Sequence, residues 1–394
     1  MKSSRLADFG LQPVSNRFLT KGDDIEAPRF PLSLNIREDI GLIFIDKPFP
    51  IEELKPRYNW LTCFEPEDHL DDLVVNILKL PNVTQNSSFG AYSFKDDSTL
   101  RRLEKLGYGN TWRIDPEKDL GVSDECANVE TYQFFLNKES AERIKEKNGL
   151  ADVFIVRHVV EHSYDLQGFI EFVKSLVKPG GYIVWELPDC ERALINGDCT
   201  TIWEEHVYYF TEYTFVSVIS EYNLEIVHFE SVPYALENSL IVIAKVSDKK
   251  TAIEPSRTAV DLEINRAKEF VKHVSERKLL IRRKLETLRE KYGQIAIFGA
   301  GHLTVAFISI MEISDLIHFV IDDNPNKKGL NMPLGKLEIL GSESLYEKNI
   351  KVCLLGLNPQ NQSKVIDKHK KFVENGGIFG SIFPHSQYDL DNIL

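Results

Sequence analysis

The sequence predicts an α/β protein with two doubly wound units and a smaller N-terminal module. Strands and amphipathic helices alternate with short connections from about residue 71, a pattern typical of parallel sheets. Near residue 294 a second strand, glycine turn and helix begins. Because 394 residues exceed what one hydrophobic core usually supports, we expect several regions. They are a module at 1–70, a first unit at 71–250, a linking helix at 251–292 and a second unit at 293–394.

Composition and charge narrow the class of protein. With 43% hydrophobic and 27% charged residues the chain is typical of globular proteins, and no apolar run approaches the ~20 residues that span a bilayer. The N-terminus lacks the apolar core of a signal peptide, so we expect a cytoplasmic protein with no membrane partner. The formal net charge of −13 disfavours binding to nucleic acid.

The N-terminal 70 residues are rich in proline and contain one convincing strand, at 41–46, which indicates a small module or cap. No C-x-x-C pair is present to build a tetrahedral zinc site. We therefore expect reduced thiols at Cys63, Cys126, Cys190, Cys199 and Cys353.

The first unit opens with VTQNSS, which we interpret as a short strand, and FGAYS, a turn that contains Gly90. A helix follows, with Asp97 or Ser98 as its N-cap, and then a strand at 110–115. A glycine at a strand end lets the backbone approach a ligand, and an acid such as Asp115 can accept two hydrogen bonds from a ribose diol. These spacings fit a structural turn and a nucleoside site equally well.

A long polar helix is expected from Val260, because apolar residues recur there at intervals of three and four. A linker helix packed on a domain is the simpler interpretation, and the seam of a coiled-coil homodimer is the alternative. The second unit has a G-x-G turn at Gly299 and Gly301, with Thr304 where a dinucleotide site has its third glycine. A nicotinamide-linked oxidoreductase is therefore a further alternative, although no hydride-transfer constellation accompanies the turn.

Several stretches resemble a known enzyme family. The run GLADVFIVRHVVEHSYDLQGFIEFVKSLVKPGGYIVWELPD resembles the fourth-strand to fifth-strand segment of class I S-adenosylmethionine-dependent methyltransferases. WEEHVYYFT, at 203–211, resembles the E-H-x-x-Y-F segment of the three-domain sugar C-methyltransferases. FGLQPVSNRFL and FPLSLNIREDIGLIFID are similar to that family's N-terminal zinc module, and FGAGHLTVAFISI and IDDNPNKKGLNMPLGKLEI to its C-terminal domain. The resemblance covers nearly the whole chain.

The resemblance implies a class I methyltransferase Rossmann-like core, a zinc-module-like N-terminal cap and a second Rossmann-like domain. It also implies S-adenosylmethionine as cofactor and C-methylation of a nucleotide-linked keto-deoxysugar. The chain departs from the family in two places: LNIREDIG lacks the zinc-binding cysteines, so we expect no metal, and the glycine-rich cofactor loop is reduced to NSSFGAYS. O- or N-methylation of a related sugar and a sugar-nucleotide-binding protein without methyl transfer are the alternatives.

The residues of WEEHVYYFT fit methyl transfer to carbon. A carbon nucleophile forms when a base removes a proton α to a ketone, and histidine has a pKa suited to that role. By the resemblance His206 is the base and Glu205 its carboxylate neighbour, which would favour the charged imidazole. Tyr208 can donate to the enolate oxygen. Glu204, Glu205 and His206 do not form a metal site on their own, because consecutive side chains point in different directions. The plainer alternative is a satisfied histidine at a strand end.

Further site residues follow from the resemblance and from their positions. His162 follows the fourth strand and is expected to orient the sugar or the enolate, and Tyr58 is expected to reach the active site unless Trp60 takes its place. His158 either borders the cofactor or packs, and Lys327 either meets a diphosphate or is solvated. The expected cofactor-binding residues are Gly90, Tyr92, Asp115, Phe134 and His158, and the expected substrate-binding residues are Tyr208, Asn238 and Lys327.

Overall fold

The computed structural model describes residues 2–22, 26–58, 60–61, 65–124, 126–247, 256–335, 337–390 and 393, so Cys63 lies outside the described residues. The strands of the described chain are β1 (Ser3–Pro13), β2 (Arg29–Arg37), β3 (Leu42–Ile45), β4 (Phe89–Ala91), β5 (Thr111–Arg113), β6 (Ala151–Arg157), β7 (Val177–Asp189), β8 (Tyr208–Tyr209), β9 (Leu224–Val232), β10 (Asn238–Val246), β11 (Ile295–Phe298), β12 (Phe319–Ile321), β13 (Ile339–Leu340), β14 (Val352–Leu355) and β15 (Ile378–Ser381).

Helices lie between most of these strands. They are α1 (Ile51–Leu54), α2 (Leu70–Leu78), α3 (Asp97–Lys105), α4 (Pro116–Leu120), α5 (Val129–Gln133), α6 (Lys138–Asn148), α7 (Leu166–Ser175), α8 (Glu191–Asn196), α9 (Glu212–Ser220), α10 (Arg257–Tyr292), α11 (His302–Ile310), α12 (Ser344–Glu347), α13 (Pro359–Lys368) and α14 (Lys370–Glu374). Short 3₁₀ turns lie at Phe94–Asp96, Val160–His162 and Cys199–Thr201.

Three sheets organise the described chain. The first is antiparallel, in the order β1-β2-β3-β8. The second has the order β5-β4-β6-β7-β10-β9 and is parallel apart from β10, which is antiparallel to both of its neighbours. The third is parallel, in the order β13-β12-β11-β14-β15. The predicted α/β class is therefore confirmed, with two doubly wound sheets.

The N-terminal module contains more sheet than we predicted. The sequence favoured one strand, but β1 and β2 pair over most of their lengths beside β3. Prolines weighed against these strands, yet Pro13 ends β1 and Pro31 lies beside a register shift, two positions where a strand tolerates proline. The interior is apolar, with Leu34, Ile36 and their neighbours buried.

The first strand of the second sheet also differs from the prediction. VTQNSS forms turns, and the strand is Phe89–Ala91, which we had assigned to a glycine turn. Gly90 therefore lies within the strand rather than at its end. A Cβ there would come within 2.6 Å of Phe154 and 2.7 Å of Trp112, so the glycine makes room for these two rings. That role is structural, which corrects the expected close approach of this backbone to a ligand.

The long helix α10 packs within its own chain. Its apolar stripe, which includes Ala267, Phe270 and Ile281, is buried in the core shared with the first and third sheets. The stripe that a coiled-coil seam would need is therefore covered by residues of the same chain. Within the described residues, no helix combines the length and apolarity that crossing a membrane requires.

Candidate active site

The stretch WEEHVYYFT joins the N-terminal module to the second sheet. Glu204 accepts hydrogen bonds from the backbone N–H and, at 3.0 Å, the hydroxyl of Ser15. Asn16 Nδ2 donates to Glu205 Oε1 at 3.2 Å. Three residues after Glu205 the chain forms β8, which pairs with β3 and extends the first sheet. The acidic pair of this stretch therefore holds the module in place.

The same stretch contacts the region of the third sheet. The rings of Trp203 and His302 stack with centres 4.3 Å apart and planes at 19°. His302 is the first residue of α11, directly after the Gly299–Gly301 turn. Nine residues thus touch all three sheet regions, and they leave His206 on the wall of the space between them.

That space is a cleft of about 550 Å³. It lies where the loops after β4 and β6 meet the starts of α11 and α13. The carboxyl ends of parallel strands commonly form a ligand crevice, especially where the strand order reverses, as it does between β4 and β6. The polar wall includes Glu65, Lys95, His158, Glu161, His206, Glu237 and His302.

His206 is held as a neutral imidazole. Its ring centre lies 4.7 Å from that of His162, edge to face, and 4.8 Å from that of Trp203. Burial lowers the pKa of His206 well below its ordinary value, and the charges of His162 and Lys95 add to the effect. A neutral ring facing the cleft can accept a proton.

Glu130, rather than Glu205, is the carboxylate partner of His162, the buried histidine whose ring contacts that of His206. His162 Nδ1 lies 2.7 Å from Glu130 Oε1, an ion pair by distance although its angle is poor for a hydrogen bond. Burial alone would raise the pKa of Glu130, but His162 outweighs burial and holds that pKa below its ordinary value. Burial instead raises the pKa of Glu205 well above its ordinary value, with Glu130 contributing. Our expectation that Glu205 favours a charged His206 was wrong, because Glu205 is buried towards Asn16 and Glu130.

His158 is fixed by a buried ionic network. Its Nε2 lies 3.1 Å from Glu186 Oε1, and Glu186 also pairs with the buried Arg157. Burial lowers the pKa of His158, but the nearby carboxylates Glu65 and Glu186 outweigh it and raise that pKa. The backbone φ of +51° is left-handed, a conformation that is uncommon for non-glycine residues.

A second cavity, of about 240 Å³, lies beside the cleft at the ends of β4 and β5. Its walls are largely apolar and aromatic, with Arg113 at one side, and include Tyr92, Phe94, Ile114, Leu120 and Tyr132. The turn Phe94–Asp96 lies between the two cavities, because Phe94 lines the smaller one and Lys95 lines the cleft. Asp115 follows β5 and caps α4 by accepting from the N–H groups of Glu117 and Lys118.

Several predicted site residues lie away from the cleft. The Tyr58 hydroxyl donates to the carbonyl of Phe18, and its ring stacks on Trp60 inside the module. Tyr208 is in β8, with its ring between Phe44 and Phe210.

Three more predicted site residues, Phe134, Asn238 and Lys327, also lie away from the cleft lining. Phe134 is 62% exposed and borders a cavity of about 120 Å³ near Tyr164. Asn238 begins β10 and donates to Ser231. Lys327 donates to the carbonyl of Ala300 and pairs with Asp322.

The glycine turn of the third sheet is closed by its own side chains. Asp322 accepts from the N–H of Ala300, and Thr304 Oγ1 donates to the carbonyls of Gly299 and Gly356. Because Asp322 and Lys327 already satisfy this turn, the geometry gives no support to the oxidoreductase alternative. The turn instead positions His302, the next residue, on the wall of the cleft.

Sequence reasoning missed Glu130, Glu161, Lys95, Glu237 and His302. Glu161 had a signal, because it stands between His158 and His162 in the run RHVVEH after a strand. Glu130 had none, since only the fold brings α5 beside His162.

Comparison with known proteins bears on both doubly wound regions. Residues 96–229 match the family model of a methyltransferase domain, and residues 248–384 match the C-methyltransferase C-terminal domain. The protein is an S-adenosylmethionine-dependent methyltransferase. It is 24% identical to C-methyltransferase NovU from Streptomyces niveus over 389 residues, 95% of this chain and 91% of that protein.

Two solved methyltransferases resemble parts of this chain. The 1,6-didemethyltoxoflavin-N1-methyltransferase of Burkholderia thailandensis is 9% identical, with a TM-score of 0.30, and covers 46% of this chain and 78% of its own. The magnesium protoporphyrin IX methyltransferase of Synechocystis is 13% identical, with a TM-score of 0.29, and covers 45% and 78%. These low scores add nothing to the assignment.

The smaller cavity of the methyltransferase fits the nucleoside part of S-adenosylmethionine. The Tyr92 hydroxyl is buried in its wall and has no hydrogen-bond partner among the described residues, as expected of a group that meets a polar ligand. The aromatic and apolar walls suit an adenine ring. Asp115 is adjacent in the chain to Ile114 and Pro116 of this cavity, and hydrogen bonds from the N–H groups of Lys118 and Glu117, with the Lys118 charge, lower its pKa.

Proposed function

We propose that the protein transfers a methyl group from S-adenosylmethionine to the carbon beside a ketone in a nucleotide-linked sugar, with His206 as general base. The name of the relative NovU supports carbon as the acceptor. The observation that carries the proposal is the neutral His206 ring on the wall of a cleft that adjoins the nucleoside cavity.

The residues of the cleft suit each proton movement of this reaction. His206 accepts the proton α to the ketone, and the electron pair of the broken C–H bond becomes the enolate of the sugar. His162, paired with Glu130, stabilises the negative charge that develops on the oxygen. S-adenosylmethionine, when bound, would supply the methyl group from its sulfonium: the methyl–sulfur bond would break as the enolate carbon bonds to the methyl carbon, and S-adenosylhomocysteine would leave.

A sugar-nucleotide-binding protein without methyl transfer is the second candidate. Asp96 is fully buried and accepts from the N–H groups of Tyr92, Ser93 and Arg157. In this arrangement the loop after β4 satisfies its own backbone donors, which a cofactor could otherwise use. This arrangement bears on how tightly the loop after β4 can bind the methionine part of S-adenosylmethionine. It does not fill the smaller cavity, which is proposed for the nucleoside part.

Product analysis separates these candidates. The protein would be incubated with S-adenosylmethionine labelled with ¹³C in its methyl group and a thymidine diphosphate-linked 4-keto-6-deoxyhexose. We expect a ¹³C methyl signal that is bonded to a ring carbon in the NMR spectrum of the product. A methyl signal on oxygen or nitrogen would reassign the acceptor. The absence of both product and calorimetric binding of S-adenosylmethionine at millimolar concentration would favour the binding protein.

A further inference from the structure

We propose that Glu161 anchors the substrate by accepting a hydrogen bond from a hydroxyl or ammonium group next to the reacting carbon. The inference rests on the proposed function and names the residue that selects among keto-sugars. Glu161 belongs to the Val160–His162 turn after β6 and lines the cleft.

The carboxylate is buried without a hydrogen bond. Glu161 is 2% exposed, and neither of its side-chain oxygens has a hydrogen-bond partner among the described residues. Its nearest charged neighbours are imidazole nitrogens, His158 Nδ1 and His162 Nε2, each 3.8 Å from Glu161 Oε1. These distances are too long for hydrogen bonds.

Local structure keeps Glu161 in this position. The carbonyl of Glu161 accepts the N–H of Val207 at 2.8 Å, which ties its backbone to the WEEHVYYFT stretch. His158 and His162 are in turn held by Glu186 and Glu130. The backbone of Glu161 and the two histidines beside its carboxylate are therefore each held by other residues.

A ligand donor explains this arrangement in energetic terms. Burying a carboxylate without a hydrogen bond is costly, and a hydrogen bond to a charged group contributes about 1.5–3 kcal/mol. A donor that enters the cleft beside His162 and His206 would belong to the atoms around the reacting centre. Glu161 would then select substrates by accepting a hydrogen bond from the substituent on the carbon next to the ketone.

Calorimetry without S-adenosylmethionine tests the proposal, because no turnover then interferes. The ligands are three thymidine diphosphate-linked 4-keto-6-deoxyhexoses that carry a hydroxyl, an amino group or only hydrogen on the carbon beside the ketone. We expect the wild-type protein to bind the better donor-bearing sugar about 10–150-fold more tightly than the deoxy sugar, as a bond to a charged group predicts. Which of the two donor-bearing sugars binds more tightly identifies the donor as hydroxyl or ammonium.

The variant Glu161→Gln should lose most of this preference and bind the deoxy sugar within about threefold of wild type. Glu67→Gln is the matched control, because Glu67 already accepts from the Ser98 hydroxyl at 2.6 Å and should keep the preference. Equal weakening of all three sugars by Glu161→Gln would overturn the proposal and leave Glu161 as a support for the histidines. Uptake of one Co²⁺ or Zn²⁺ per chain that Glu161→Gln abolishes would also overturn it, since Glu161, His162 and His206 could then hold a metal. If wild type binds none of the sugars, the proposed function itself fails.

Discussion

The imidazole rings of His162 and His206 meet edge to face at 90°, with centres 4.7 Å apart. One ring is paired with a buried carboxylate, and the other is kept neutral by burial and by its charged neighbours. The pair therefore combines a histidine that can stabilise negative charge with one that can accept a proton. Each prediction below tests a different part of the structure around this pair.

The first prediction concerns Asp115 and the cofactor. Asp115→Ala should weaken S-adenosylmethionine binding by about 1.5–3 kcal/mol, because hydrogen bonds to a charged group would be lost. It should also destabilise the fold by about 0.5–2 kcal/mol, since Asp115 caps α4. Asp115→Asn keeps the cap and should affect binding alone. Calorimetry and thermal unfolding separate the two effects, and unchanged affinity in Asp115→Ala would move the ribose elsewhere.

The second prediction concerns stability and pH at Glu204. Burial raises the pKa of this carboxyl to about 7 in the folded protein, against 4.5 ordinarily. The folded state therefore holds a proton that the unfolded state has lost, and the stability gained from this group disappears as pH rises from about 4.5 to 7. Relative to Glu204→Gln, which mimics the neutral carboxyl, wild type should lose roughly 3 kcal/mol across that window.

Chemical denaturation at pH 5 and pH 8 measures this difference. Glu171→Gln is a suitable control, because Glu171 is exposed on α7 beside Lys174. If the wild-type and Glu204→Gln stabilities change in parallel with pH, Glu204 does not bind the extra proton.

The third prediction concerns zinc in the N-terminal module. The sequence has no C-x-x-C pair, and Cys190, Cys199 and Cys353 are buried outside that module. The module has an apolar interior and an antiparallel sheet that continues into β8. Elemental analysis of the purified protein should find no stoichiometric zinc. One tightly held zinc per chain would contradict this expectation.

The sequence predicted those helices and strands whose hydrophobic pattern lies within a short stretch of the chain. The helical periodicity after Val260 and the apolar strand at Ala151–Arg157 are features of short windows of sequence. We missed the strand Phe89–Ala91 because we assigned the strand to the polar run before it and interpreted the glycine of FGAYS as a turn. The burial of Phe89 depends on the rest of the sheet, which the local sequence does not show. The prolines in β1 and β2 likewise argued against these strands, which form because they pair with each other across a long stretch of sequence.

The sequence predicted which residue types form the site, but it did not predict the orientation of their side chains. Family resemblance brought His162 and His206 into the same hypothesis, and the structure brings their rings into contact. The partner of each histidine could not be read from the sequence. Glu205 stands beside His206 in the chain, but its side chain is directed towards the module, where it accepts a hydrogen bond from Asn16.

Proton exchange by His206 tests the central claim most directly. In heavy water without a methyl donor, the wild-type protein should exchange the proton α to the ketone of the 4-keto-6-deoxyhexose for deuterium. His206→Asn keeps polarity and approximate size, so it should fold and bind cofactor, yet lose exchange and about 10²–10⁴-fold in turnover. His302→Asn makes the same chemical change elsewhere in the cleft and should still exchange. Deuterium incorporation by His206→Asn at the wild-type rate would contradict the account, because another group would then be the base.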